Sequence, residues 1–211
     1  TPEYESSFIT PTSNLLTTLP LRSFRKLHLM FSLPPLRHKK DQNPLKLISH
    51  LLGHEGRGSG FAHLQDLGYI NTLMSGSRME DAGQNLFQVE VALTEAGEAA
   101  WKEVVQVLLS HCQLIYETSI NNPKVLAERW EEIGKLSALR FNMSSPSSPF
   151  DFAPNCAQSL MTNDSHECLS AGSMLKESAA TFPMKDFIDI SKRLNIDNCI
   201  IERCSPKAWD E

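Results

Sequence analysis

Two histidines stand four residues apart in the stretch LISHLLGHEGRGSG, His50 and His54, with Glu55 directly behind them. On a helix this spacing puts two imidazoles on one side, where they can share a metal ion. Zinc hydrolysis asks for more: a third ligand, an open position for water, and a carboxylate that can take the proton of that water. In the order H-x-x-E-H the base stands one residue before the second histidine. Here that position is Gly53, which has no side chain, and Glu55 comes after the pair, past the expected helix end. Glu131 and Glu132 are the remaining acids that could complete a metalloenzyme site. The pair therefore reads as an ordinary helix-end pair in preference to a catalytic centre.

The neighbouring residues carry less chemistry. Gly53, Gly56, Gly58 and Gly60 precede a segment that Ser59 can cap, and a glycine-rich turn before a helix can cradle a phosphate. No G-K-[ST] follows, and the strand-to-helix setting of a dinucleotide site is missing, so a tight helix-to-helix turn is expected. Cys112 lies beside His111 on a helical stretch, where adjacent residues face apart. The runs RHKK and RWEE read as solvated surface, and Trp101 and Trp130 as core.

These residues need elements to hold them. Residues 1–20 are Ser/Thr-rich and weakly patterned, a lead-in segment. RKLHLMFSLPP alternates Leu27, Leu29, Phe31 and Leu33 with polar neighbours, a half-buried strand closed by Pro34 and Pro35. RHKKDQN is a polar turn. From Pro44 the spacing Leu47, Ile48, Leu51, Leu52 is helical and stops at Gly53. A short helix with Phe61, Leu64 and Leu67 ends at Gly68. YINTLMSGS and NLFQVEVALT form an antiparallel pair joined by the polar turn RMEDAGQ. Thr94 caps the next helix, which carries Trp101, Val104, Val105, Leu108, Leu109, Cys112, Ile115 and Tyr116 on one stripe. A further helix from Pro123 to Phe141 turns Leu126, Trp130, Ile133, Leu136 and Leu139 inward. NMSSPSSPFDFAPN reads as a loop, residues 155–195 as irregular helical patches, and DNCIIERC as a last strand. The order predicts an α+β fold: a two-layer sandwich, mainly antiparallel sheet with helices on one face. Three segments are expected: a lead-in at 1–20, the α+β domain at 21–204, and a tail at 205–211.

The 211 residues and 41% hydrophobic content suit one or two globular domains. A net charge of −5 speaks against nucleic acid or an anionic membrane surface as the main partner. No apolar run approaches the roughly 20 residues of a membrane span. Five cysteines without a C-x-x-C pair fit reduced thiols better than a disulfide scaffold, which points to a cytoplasmic location. The sequons at Asn142 and Asn163 are of a length that arises by chance. The first residue is Thr1, as expected of a piece of a longer polypeptide or a mature form.

LISHLLGHEGRGSGFAHLQDLGYINTLMSG, followed by LFQVEVALTEAG and the long helix, resembles the second domain of the insulin-degrading enzyme and nardilysin group of insulinase (pitrilysin-type) zinc metallopeptidases. LRSFRKLHLMFSLPPL, SALRFN and LNIDNCII extend the similarity. The resemblance implies homologous α+β domains arranged around a chamber, in which the first domain holds H-x-x-E-H with zinc and the second is a diverged copy without it. His50 and His54 are then the degenerate counterpart of the metal pair, and an apolar residue near Leu139 stands where the third ligand would lie. Zinc is expected in the catalytic domain of the parent, and none in this chain.

The resemblance also implies a substrate-binding exosite that grips a peptide N-terminus as an added strand. Its residues fall on His50, Gly53, Glu55, Leu73, Met74 and Ser75. The family has glycine at Ser75, glutamine at Ser77 and proline at Arg57; Ser75 puts a Cβ where the peptide backbone would approach. A carboxylate can pair with an α-ammonium, and an exposed strand offers N–H and C=O groups to an extended peptide. The expected partners are a catalytic insulinase-type domain, in the same or another chain, and peptide substrates. The alternative is a stand-alone inactive subunit acting as scaffold for a catalytic peptidase; an independent metalloenzyme is the third reading.

Overall fold

The computed structural model describes residues 14–21, 24–36, 42–80, 83–145, 148–161, 163–171, 173–175 and 178–206. Among these residues five strands form one sheet: β1 (Asn14–Thr18), β2 (Lys26–Leu33), β3 (Ile70–Glu80), β4 (Asn85–Leu93) and β5 (Cys199–Cys204). Their order across the sheet is β1-β5-β2-β4-β3, with every pairing antiparallel except β1 with β5. Among the described residues, seven α-helices accompany them: α1 (Leu45–Leu52), α2 (Gly60–Asp66), α3 (Glu95–Ala99), α4 (Trp101–Asn121), α5 (Pro123–Met143), α6 (Pro149–Leu160) and α7 (Met184–Ser191). This is the α+β architecture expected from the sequence.

Alternation decides which face of the sheet is buried. Leu27, Leu29 and Phe31 of β2 stand opposite Val91, Val89 and Phe87 of β4, and all six are at most 1% exposed. They meet Ile48 and Leu52 of α1, Leu64 of α2, and Val104 and Leu108 of α4, each also at most 1% exposed. Such a continuous apolar layer, at about 1.5–3 kcal/mol per fully buried large side chain, is what holds α1, α2 and α4 on the sheet. The opposite face of the sheet is polar. There His28 lies 2.8 Å from the Glu202 carboxylate through Nδ1, and Lys26 is paired with Glu90.

Several elements differ from the sequence reading. Asn14–Thr18, within the weakly patterned lead-in, forms the edge strand β1, with Leu15 56% and Leu16 48% exposed. The polar stretch after YINTLMSGS continues as strand to Glu80, so Arg78, Met79 and Glu80 belong to β3. The helix begun at Thr94 is broken at Ala100 (φ −101°, ψ 23°) into α3 and α4. Leu126, Trp130 and Ile133 face inward, but Leu136 and Leu139 are exposed. The inward stripe passes instead to Ser137, whose Oγ accepts the Leu175 N–H at 3.1 Å. The Ser/Pro stretch holds helix α6, capped by Ser148 and started by Pro149. The turn at 37–41 lies outside the described residues. Burial pushes the thiols of Cys112 and Cys199 up to about 12, so neither is a thiolate at neutral pH.

Candidate functional site

The end of α1 packs against β3, and most residues singled out in the sequence gather there. Pro44 and the apolar spacing after it start α1, which runs to Leu52 with Leu47 and Ile48 turned to the core. His50 sits exposed in its last turn. Gly53 closes the helix, its N–H donating to Ser49 O at 2.9 Å. A Cβ on Gly53 would stand 3.1 Å from Ser49 O and 3.9 Å from Ser75 Oγ. Ser75 in turn donates its hydroxyl to Ser49 O at 3.1 Å, tying β3 to α1. So Ser75, placed in the family's substrate-backbone position, spends its side chain on the helix end. Leu73 lies under the same corner, 8% exposed. Met74, 60% exposed, projects from the other face of the sheet beside Glu90. Glu55 is exposed in the turn between α1 and α2 and has no hydrogen bond or ion pair among the described residues.

The turn itself is built by its glycines and Ser59. The Ser59 hydroxyl accepts the Ala62 N–H at 3.0 Å and caps α2. Gly58 has φ +85°, a left-handed conformation that glycine adopts freely. His54 folds back over Gly56, its Nδ1 accepting that residue's N–H at 2.9 Å. The rings of His50 and His54 lie stacked, centroids 6.1 Å apart and planes 28° apart.

These positions do not fit a zinc ion. The two imidazoles lie face to face, and one Nδ1 lone pair of His54 is already taken by a backbone N–H. Glu131 bonds Lys135 and Glu132 bonds Arg129, each at 2.6 Å. Gly53 supplies no base, and Leu139 is exposed and apolar. Among the described residues, the three potential ligands that approach within 4.8 Å of one another are Asp164, His166 and Glu167, on a different, exposed turn.

His111 of α4 joins the two histidines electrostatically. Its pKa is lowered from 6.5, first by burial and then by His54; its Nδ1 is buried without a hydrogen-bond partner. His50 is lowered by burial and by His54, with the Glu132 carboxylate pulling the other way. A histidine whose native pKa lies below its unfolded value is neutral in the fold while the unfolded chain takes up protons. Its stabilising contribution is therefore present above about pH 6.5 and is lost as pH falls through the native value. Urea midpoints are expected to drop between roughly pH 7 and pH 5, and His111→Gln to flatten that slope more than His50→Gln, since His50 is better solvated. Equal slopes in parent and His111→Gln would refute the assignment.

The strand that the resemblance implies as the peptide-accepting edge is β3. β3 is the last strand of the sheet and pairs only with β4 among the described residues, leaving its outer edge unpaired. Its polar face follows the alternation Met74, Gly76, Arg78 against Gln88 and Glu90, and the residues RME that suggest a turn belong to the strand.

The fold and site are thus a sheet covered on one face by helices, a stacked histidine pair at a helix end, and glycine one residue before the second histidine. The pattern of the peptidase M16 inactive domain matches residues 8–122, and the chain belongs to that family. It is 26% identical over 148 residues to the A-factor-processing enzyme of Saccharomyces cerevisiae, covering 69% of this chain and 14% of that protein. Drosophila melanogaster insulin-degrading enzyme is 26% identical over 155 residues, 72% of this chain and 15% of that one. Rattus norvegicus nardilysin is 25% identical over 175 residues, 81% and 15%. The crystal structure of pitrilysin superposes with a TM-score of 0.86 over 98% of this chain and 21% of its own, at 18% identity, and so shares the fold. The chain thus spans about a seventh of the length of the curated relatives it matches.

Proposed function

We propose that this chain serves as a non-catalytic domain of an insulinase-family zinc metalloendopeptidase, forming part of the wall of a peptide-degrading chamber and holding the N-terminus of a peptide along β3. The open edge of β3 carries this reading. An unpaired strand edge presents the row of N–H and C=O groups that an extended peptide needs. Glu55, exposed and unpaired beside the end of α1, offers a carboxylate to the peptide's α-ammonium. Zinc and the hydrolytic step belong to a catalytic domain of the parent, since His50 and His54 do not converge on a metal. Helix α6 supports a role within a larger assembly: none of its residues is buried, and Phe150 is 88% exposed.

Peptides with a free N-terminus are expected to bind the chain up to about fivefold more tightly than their N-acetylated forms, the scale of one solvent-exposed ion pair. Glu55→Gln should abolish that difference. Fluorescence anisotropy with a labelled C-terminus measures both. Acetylation without effect on binding would remove the N-terminal grip from the proposal. A stand-alone scaffold subunit would instead show a native mass near that of this chain and co-purify with a separate catalytic peptidase.

A further inference from the structure

Gly76 lies in the middle of β3, where it pairs with Gln88 of β4. Met74 and Arg78 flank it two residues to either side, and Met74 and Glu90 are directly opposite each other on the polar face of the sheet. An open, shallow groove of about 230 Å³ crosses the strand pair at Gly76, between Met74 and Arg78 on β3 and beside Gln88 and Glu90 on β4. An ideal Cβ on Gly76 would meet nothing within 4 Å. The conformation at Gly76 does not explain the glycine, since positive φ occurs at Gly58 and Gly68 and not there.

The charges around the groove are unequally engaged. Glu90 is paired with Lys26 and approached by His28 Nε2 at 3.6 Å, so its negative charge is already answered. The ammonium bonded to it holds the Glu90 carboxyl below the usual carboxylate range. Gln88 accepts from Arg78 through Oε1 at 2.9 Å and turns its amide N–H to Glu90 at 3.4 Å. Arg78 is exposed; its side chain donates that hydrogen bond through one amino nitrogen, and its charge also helps to keep Glu90 ionised. The rest of its guanidinium fork faces solvent at the rim of the groove. A guanidinium in that state favours a carboxylate, which it can engage through two parallel N–H donors.

We propose that the groove over Gly76 is a side-chain subsite for an extended peptide added to the free edge of β3, and that Arg78 makes it select an acidic residue. The inference rests on the reading of β3 as a peptide-accepting edge. Side chains alternate along an added strand, and the one opposite Gly76 falls on the polar face of the sheet, between Met74 and Arg78. With no side chain at Gly76, it can lean across β3 toward Gln88. Diagonal neighbours on paired strands lie about 7–8 Å apart, within reach of a long arginine.

The test uses labelled ten-residue peptides of one strand-forming sequence with a free N-terminus. Asp, Asn or Lys is placed at each successive position, and binding to the chain is read by anisotropy at low and at 0.5 M salt. One position is expected to favour Asp over Lys by about fivefold, with the preference collapsing at high salt. Arg78→Glu should invert the preference at that position, and Lys124→Gln, an exposed lysine on α5, should leave it unchanged. Gly76→Val, which suits a strand and fills the groove, should weaken every peptide alike at that position. Peptides that bind with no preference at any position, or a preference that survives Arg78→Glu, would overturn the subsite while leaving the strand edge standing. Failure of every peptide to bind would overturn both.

Discussion

Gly97→Ala is expected to destabilise the chain by about 3 kcal/mol or more, beyond the usual range for an added methyl group. Gly97 lies in α3, and a Cβ built on it would stand 1.9 Å from the carbonyl oxygen of Tyr69 and 2.7 Å from its carbonyl carbon. Both are backbone atoms, so no rotamer change relieves the clash. The contact is also tied in place: Tyr69 O accepts the Thr94 N–H at 3.0 Å, and the Thr94 hydroxyl donates to Gly68 O at 2.6 Å while accepting the Gly97 N–H at 3.0 Å. Alanine must therefore push α3 away from the start of β3 and break the cap together with those bonds. For a domain of this size the loss corresponds to a fall in Tm of about 10 °C. Gly76→Ala is the matched control, since open space surrounds that position. Urea unfolding that places Gly97→Ala within about 1 kcal/mol of the parent would show the two segments to be free to separate.

Gly97 sits inside the LTEAG stretch that carried part of the family resemblance, yet its reason was not visible in one dimension. The sequence announced a capped helix at Thr94; that Tyr69 passes directly over that helix is a fact of how β3 leaves α2. The same division runs through the fold. β2 and β4 were legible because both alternate strictly and bury one face. β1 was not, because an edge strand with Leu15 and Leu16 both half-exposed shows no alternation to read. In α5, Leu126, Trp130 and Ile133 follow the helical period onto the core, but the next inward position is Ser137. The leucines at 136 and 139 therefore suggested a stripe that the helix turns outward. In α6, Pro149 and Pro154 suggested a loop, although proline is well suited to a first helical turn and Pro149 occupies it. At the candidate site, the loss of the base at Gly53 was plain in the sequence, because it needs only a residue type at a position. The stacking of His50 on His54, the use of Ser75 to hold α1, and the groove over Gly76 each depend on where a side chain points across elements. Register along β3, with shifts between Ile70 and Thr72 and between Ser77 and Met79, decides those directions, and local propensity does not encode it.

Glu98→Ala is expected to cost about 3 kcal/mol, the low end of the scale for breaking a buried charge pair, because the Arg25 side chain left behind is 23% exposed. Glu98 is 3% exposed, and its carboxylate accepts from Arg25 Nε at 2.6 Å and from the hydroxyl of Ser205, itself fully buried. Three distant parts of the chain thus meet on one side chain: the approach to β2, helix α3, and the residue that follows β5. Arg25 retains Glu95 at 2.9 Å after the substitution, but that acid is largely in solvent and cannot replace the buried contact. The asymmetry between breaking and replacing a pair supplies the control. Glu98→Leu combined with Arg25→Met removes both charges, and the doubly substituted chain is expected to recover much of the loss, since well-packed apolar replacements of a buried pair are often neutral. Ser205→Ala, which leaves one carboxylate oxygen short of a donor, should cost about 1–3 kcal/mol. If denaturant unfolding shows the double substitution to be as unstable as Glu98→Ala alone, the cost lies in lost packing around α3 and not in a stranded guanidinium. The position matters for function because α3 lies directly behind the start of β3. A chain that loosens at Glu98 gives up the fixed edge on which an added peptide strand depends, and its peptide affinity should fall in step with its stability.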